Sequence, residues 1–208
     1  MTEPTAPERT DRHSRAAFQF GIQDVLGMFV LVSVLLSYLR PFGVPVILKL
    51  TCLVGLALLC GGAIGLVARR FSEAVFWSAI GSILGYLTIV NAPLSHWTGE
   101  YVWPMLGGIV GAVAAAVSGK KARYRVAYCS LLGLGLVSLY ELALLRFTRD
   151  SADELVCATA GSALLAVVVE LAGRFERWTS VPRHLIAIGF VVAGIAVHWV
   201  ALRLAPGL

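Results

Sequence analysis

The sequence predicts an all-α fold, a polytopic transmembrane helical bundle of about seven spans with a cytoplasmic N-terminus and an outside C-terminus. Three observations carry that expectation. The chain is 58% hydrophobic and 14% charged, with a mean hydropathy of +0.82. A soluble domain carries about 25% charge and could not hide this much apolar surface at 208 residues. Apolar runs long enough to cross a bilayer recur along the chain. Lysine and arginine concentrate in alternate connections between those runs.

The expected elements follow in order. Residues 1–17 form a polar cytoplasmic tail, MTEPTAPERTDRHSR at its start, with too little apolar content to fold. Residues 18–208 form one transmembrane domain with spans at about 22–39, 44–68, 74–93, 101–118, 126–145, 155–173 and 184–204. The first run is short and carries Asp24 near its start; no small-x-small cleavage site follows it, so it reads as an uncleaved span. Arg40-Pro41 and Pro45 break the helix before the second span, because proline lacks the amide donor and clashes with the preceding turn. Asn91-Ala-Pro93 with SHWTGEY, and then GKKARYR, separate the next spans.

Orientation follows from the basic residues. Arg9, Arg12, Arg15, Arg69, Arg70, Lys120, Lys121, Arg123, Arg125, Arg174, Arg177 and Arg183 fall on one side. Arg40, Lys49, Arg146, Arg149 and Arg203 fall on the other. The excess marks the cytoplasmic face. It also accounts for the net charge of +5 as topology rather than as a nucleic-acid surface. Trp77 and Trp178 fall at expected inner ends, and Trp97, Trp103 and Trp199 near outer ends, where tryptophan favours the membrane interface.

Small residues recur at helical spacing: Gly61 and Gly65; Ser78, Gly81, Gly85, Thr88 and Asn91; Gly108, Gly111, Ala115 and Ser118; Thr159, Ser162, Ala166 and Glu170. In lipid such stripes serve close helix packing, within one chain or between copies or membrane partners, more often than they line a pore. GGAIGLVA at 61–68 and GGIVGAVA at 107–114 match at five of eight positions, a weak internal repeat.

One stretch poses the functional question. LVSLYELALLRF puts Glu141 inside an apolar run. At about 1.5 Å of rise per residue, Glu141 and Lys49 lie roughly 7 Å below the outer interface and His198 about 9 Å below it. Asn91 sits at the top of the same layer. Intramembrane ionisable groups face the bundle interior and find partners. The expectation is a Lys49–Glu141 pair, with His198 or Asn91 completing the network. Glu170 and Arg174, four apart, form a second pair at the inner end. The polar layer admits two functional readings: a structural or partner-binding membrane protein held in register by the pair, or a small transporter or channel using the layer.

Other constellations are poorer. His96 and Glu100 offer too few ligands for a metal. Asp150, Asp153 and Glu154 precede a helix and suit capping and solvation, with Ser151 as a cap. Cys52, Cys60, Cys129 and Cys157 form no C-x-x-C pair and read as small hydrophobes. Ser118 and His198 would sit at opposite ends of the bundle, which excludes a serine–histidine catalytic pair. No cofactor motif, zinc motif or Schiff-base lysine in the seventh span is present, so no enzyme is expected.

The opening helix, with Phe20, Ile22, Asp24 and Leu26 in an F-x-I-x-D-x-L stretch, resembles the first helix of many uncharacterised bacterial membrane proteins. The resemblance covers about a tenth of the chain. It implies a multi-pass protein of the bacterial inner membrane and transfers no site residues.

Overall fold

A computed structural model describes residues 22–40, 43–91, 99–143, 149–179, 181 and 183–204. Among them are seven helices and no strand: α1 (Ile22–Leu39), α2 (Val44–Val67), α3 (Phe71–Asn91), α4 (Gly99–Ala116), α5 (Ala122–Ala143), α6 (Arg149–Thr179) and α7 (Arg183–Leu204). Each occupies one of the apolar runs. The tail, His96 and Trp97 lie outside the described residues, as do the side chains of Asp24, Glu100, Asp150, Ser151 and Trp199.

Helix ends differ from hydropathy expectations for local reasons. Hydropathy alone ends the sixth span at 173, but RFERW contains no breaker and α6 continues to Thr179. Likewise α5 begins at Ala122, since ARYR is made of residues a helix accepts. Pro104 falls in the second turn of α4 and is accommodated there. The α2–α3 connection is a Schellman stop. The Arg70 amide donates to the Gly65 carbonyl at 2.8 Å and the Arg69 amide to that of Leu66 at 3.2 Å. Arg69 takes the left-handed position, with φ 55°, where glycine is usual.

The helix α3 is the axis of the bundle. From Phe76 to Ile83 every residue is buried, so it presents no outer face along these two turns. It packs on α4 most extensively, then on α2 and α7; α5 pairs with α6, and α4 also touches α2, α5 and α6. Along α3 and α4 the chains run antiparallel, and backbone meets backbone turn by turn. Gly85 faces the Trp103 carbonyl, Gly81 and Gly107 face each other's carbonyls, and Gly111 faces the Trp77 carbonyl. A Cβ at any of these four glycines would overlap the opposing carbonyl.

Gly111 of the expected small-residue stripe thus packs on α3, and Gly107, outside that stripe, joins it. Gly108 lies between two neighbours, against Ala57 of α2 and Ser78 of α3. On the other side of α3, Gly61 abuts Ser78, and Gly65 abuts Phe71 and Ala74. The two GG-x-x-G segments thus clasp α3 from two sides. Buried Ser78 Oγ donates 2.6 Å to the Ala57 carbonyl, fastening α3 to α2 at this junction.

The exterior between the two ends is apolar. Leu48, Leu56 and Leu59 on α2, Leu131, Leu139 and Leu142 on α5, and Val156 and Leu164 on α6 point outward. Ser33, Thr51 and Thr159 place hydroxyls among such residues and donate them to the carbonyl four residues back. Three helical segments, Val44–Val67, Ala122–Ala143 and Ala152–Glu176, are long and apolar enough to cross a membrane. Shorter apolar stretches occur at Val25–Leu39, Phe71–Leu87, Val102–Ala116 and Leu185–Val197.

Trp77 departs from its expected interfacial role. It is enclosed in the core, edge-on to Phe76 with ring centroids 5.6 Å apart. Position near a helix end does not decide orientation around the helix, and α3 has no outward-facing side there.

Gly81→Ala and Gly107→Ala are expected to destabilise by about 1–3 kcal/mol or more through overpacking against backbone. Gly55→Ala and Gly135→Ala, whose added methyls meet nothing within 4 Å, should stay within about 1 kcal/mol of the parent. Thermal unfolding of the four variants in one detergent checks the contrast.

Candidate functional site

The polar residues fall at the two ends of the bundle. At one end meet the close of α2, the start of α3, the close of α4, the start of α5 and the later part of α6. Between them lies a cavity of about 660 Å³. Arg70, Lys120, Lys121, Arg125 and Arg174 line it together with Glu73, Glu170 and Glu176, and Trp77 also contributes to its wall.

Arg125 organises this end. It is the first member of a buried stripe on α5, with Cys129, Gly133, Val137 and Glu141 following at four-residue intervals. That spacing keeps one helix face turned inward. Gly133 lets the stripe close against Ser162 and Ala158 of α6. The first turn of α5 is thereby drawn into the bundle, and the Arg125 side chain is only 4% exposed.

A buried guanidinium is costly unless its donors find acceptors. Arg125 Nη1 lies 2.6 Å from Glu170 Oε2, and Nη2 donates to the Ser118 carbonyl beyond the close of α4. The second bond satisfies a carbonyl that the ended helix leaves over. Nε of Arg125 is enclosed and has no hydrogen-bond partner among the described residues. Glu170, 18% exposed, also accepts 2.9 Å from Arg174 Nε, so one carboxylate serves two arginines. Arg70 Nη1 donates to Ser118 Oγ and lies 3.2 Å from Glu73 Oε2. The result is a continuous polar chain from Glu73 through Arg70, Ser118, Arg125 and Glu170 to Arg174, linking α3, α4, α5 and α6.

The two lysines stand apart. Lys120 lies over the Tyr128 ring, 5.4 Å from its centroid. Neither Lys120 nor Lys121 has an ion-pair partner among the described residues. Outside the cavity Arg123 stacks on Tyr124 at 4.9 Å. Tyr124, Tyr128, Phe175 and Trp178 form exposed aromatic surface around this end.

Toward the opposite end lie the backbone positions of the residues expected to form a polar layer. Lys49 lies in the second turn of α2, partly buried, about 27 Å of helix rise from Val67. Glu141 is 5% exposed, about 24 Å along α5 from Arg125, and shares its inward stripe. Each engages partners there. Helix α4 packs on both α2 and α5. The backbones of Asn91 and His198 belong to α3 and α7, which pack together; their side chains lie outside the described residues.

Sequence reading paired Glu170 with Arg174 and treated Arg125 only as a loop cation. The missed signal was the i, i+4 series that joins Arg125 to Glu141 through Cys129, Gly133 and Val137. Among the described residues no three His, Cys, Asp or Glu side chains gather as a metal site. No family model, curated protein or solved structure matches the chain.

Glu170→Ala leaves the Arg125 charge buried without its carboxylate and is expected to cost about 3–5 kcal/mol. Arg174→Ala removes a pairing whose cation is 63% exposed and should cost less than about 1 kcal/mol. Unfolding midpoints in detergent for the two variants test this asymmetry.

Proposed function

We propose that the chain is a seven-span protein of the bacterial inner membrane, N-terminus cytoplasmic, with a structural or partner-binding rather than catalytic role. The observation that carries the reading is the distribution of surface. An apolar exterior is closed at one end by a band of cations and exposed tyrosine and tryptophan, the chemistry that suits a membrane interface. Hydroxyls on that exterior bond their own backbone, as a solvent without hydrogen-bonding groups requires. The bacterial assignment rests on the resemblance of the opening helix.

In this reading Lys49 and Glu141 form an intramembrane pair that sets the register of α2 and α5 across α4. Burial of Glu141 on the inward stripe of α5 supports it. Partly buried Lys49 comes from the neighbouring side of α4, and a four-carbon stem gives it reach. The pair holds the bundle in one arrangement for a partner or a second copy to bind.

Two experiments test these statements separately. With Cys52, Cys60, Cys129 and Cys157 replaced by alanine, a membrane-impermeant maleimide on intact cells should label Asp153→Cys. Lys121→Cys should be labelled only after permeabilisation. The reverse pattern would invert the orientation, and labelling of both in intact cells would sink the spanning model.

For the pair, Lys49→Met and Glu141→Gln should each lower the unfolding midpoint. The double variant should lose less than their sum, by a coupling of roughly 1–3 kcal/mol. Strictly additive losses would remove the pair from the account.

A further inference from the structure

We infer that the cavity at the basic end binds a phosphate group, carried by an anionic lipid headgroup or free in solution, between Lys120, Lys121 and Arg125. The lining charges are unequal, five cations against three carboxylates. The carboxylates are also unevenly used. Glu73 faces Arg70, and Glu170 is shared by Arg125 and Arg174, while the two lysines face no carboxylate among the described residues. Glu176 also lines the cavity and has contacts of its own. Lys120 and Lys121 thus place two cations at one side of a cavity whose lining is cationic on balance.

That side is also the N-terminus of α5. Gly119, Lys120, Lys121 and Ala122 all line the cavity, so the opening turn of a 22-residue helix borders it. The first amides of a helix lack intrahelical acceptors and carry the positive end of its dipole, which favours a phosphate. Arg125 adds a fixed positive charge to the same wall: its guanidinium is more than nine-tenths buried, held by Glu170 and the Ser118 carbonyl, and lines the cavity.

Phosphate suits these donors better than a carboxylate does. Its oxygens can accept from both lysines and from helix amides at once, and its charge balances theirs. A cavity of about 660 Å³ exceeds what a bare phosphate occupies and leaves room for the glycerol portion of a headgroup. Tyr128, exposed beneath Lys120, offers an amphipathic ring beside that lysine.

The test uses the full chain in neutral-detergent micelles, titrated by calorimetry with inorganic phosphate and separately with short-chain phosphatidylglycerol. Short-chain phosphatidylcholine serves as the neutral lipid. Saturable binding of inorganic phosphate identifies a site for the free anion. Binding of phosphatidylglycerol alone, with none of phosphatidylcholine, identifies a headgroup site. In either case the Lys120→Ala, Lys121→Ala double variant should bind roughly thirtyfold more weakly, at about 1 kcal/mol per lysine.

Arg123→Ala removes a cation from the same end but not from the cavity and should bind as the parent does. The unfolding midpoint of each variant separates lost binding from lost fold. Absence of binding by folded parent protein, or an equal loss in Arg123→Ala, would overturn the proposal.

Discussion

Backbone contact between α3 and α4 is the constraint on which the rest of this architecture depends. At Gly81, Gly85, Gly107 and Gly111 there is no side chain between the two helices, and each glycine faces a carbonyl of its neighbour. Such close approach gains dispersion contacts, and dispersion falls away within an ångström of lost contact. Such an approach needs glycine on both partners at matched turns. Once α3 and α4 are joined this way, Gly61 and Gly65 bring α2 onto the remaining side, and α3 becomes the enclosed axis of the molecule.

The same constraint builds the polar end. Because α3 and α4 run antiparallel in tight register, the start of α3 and the close of α4 arrive together, which sets Arg70 and Glu73 beside Ser118. Then α5 departs from that point, and its inward stripe carries Arg125 under Ser118 and onto Glu170. Desolvating Arg125 is offset by a carboxylate shared with Arg174 and by a carbonyl left over at the end of α4. The cavity is the space these helix ends cannot fill, since their side chains reach sideways to one another.

Helix α5 shows how packing and charge are combined. A single face carries an arginine near one end, a glutamate near the other, and Cys129, Gly133 and Val137 between them. The middle of that face makes the close approach to α6, at Gly133 against Ser162. Its ends carry the charges, about 24 Å apart, a separation comparable with the hydrocarbon thickness of a bilayer. At the Arg125 end the contact with Glu170 restricts sliding of α5 along α6 in a way that small residues alone would not.

Seven apolar runs and their breakers were legible in the sequence, because hydropathy over about twenty residues and the missing amide of proline are local properties. So was the gathering of cations at alternate connections, which depends only on counting. The Glu170–Arg174 contact follows from helical spacing within one element. Rotation of each helix about its own axis was not legible. Gly107 joins Gly108 and Gly111 against α3, Trp77 turns inward from a helix end, and Arg125 leaves the surface for Glu170 of α6. These outcomes depend on which neighbour approaches from which side, and that is decided by many weak contacts acting at once across helices distant in sequence. The linear sequence determined what each helix is made of and how long it runs; only the packed bundle decided which of its faces meet.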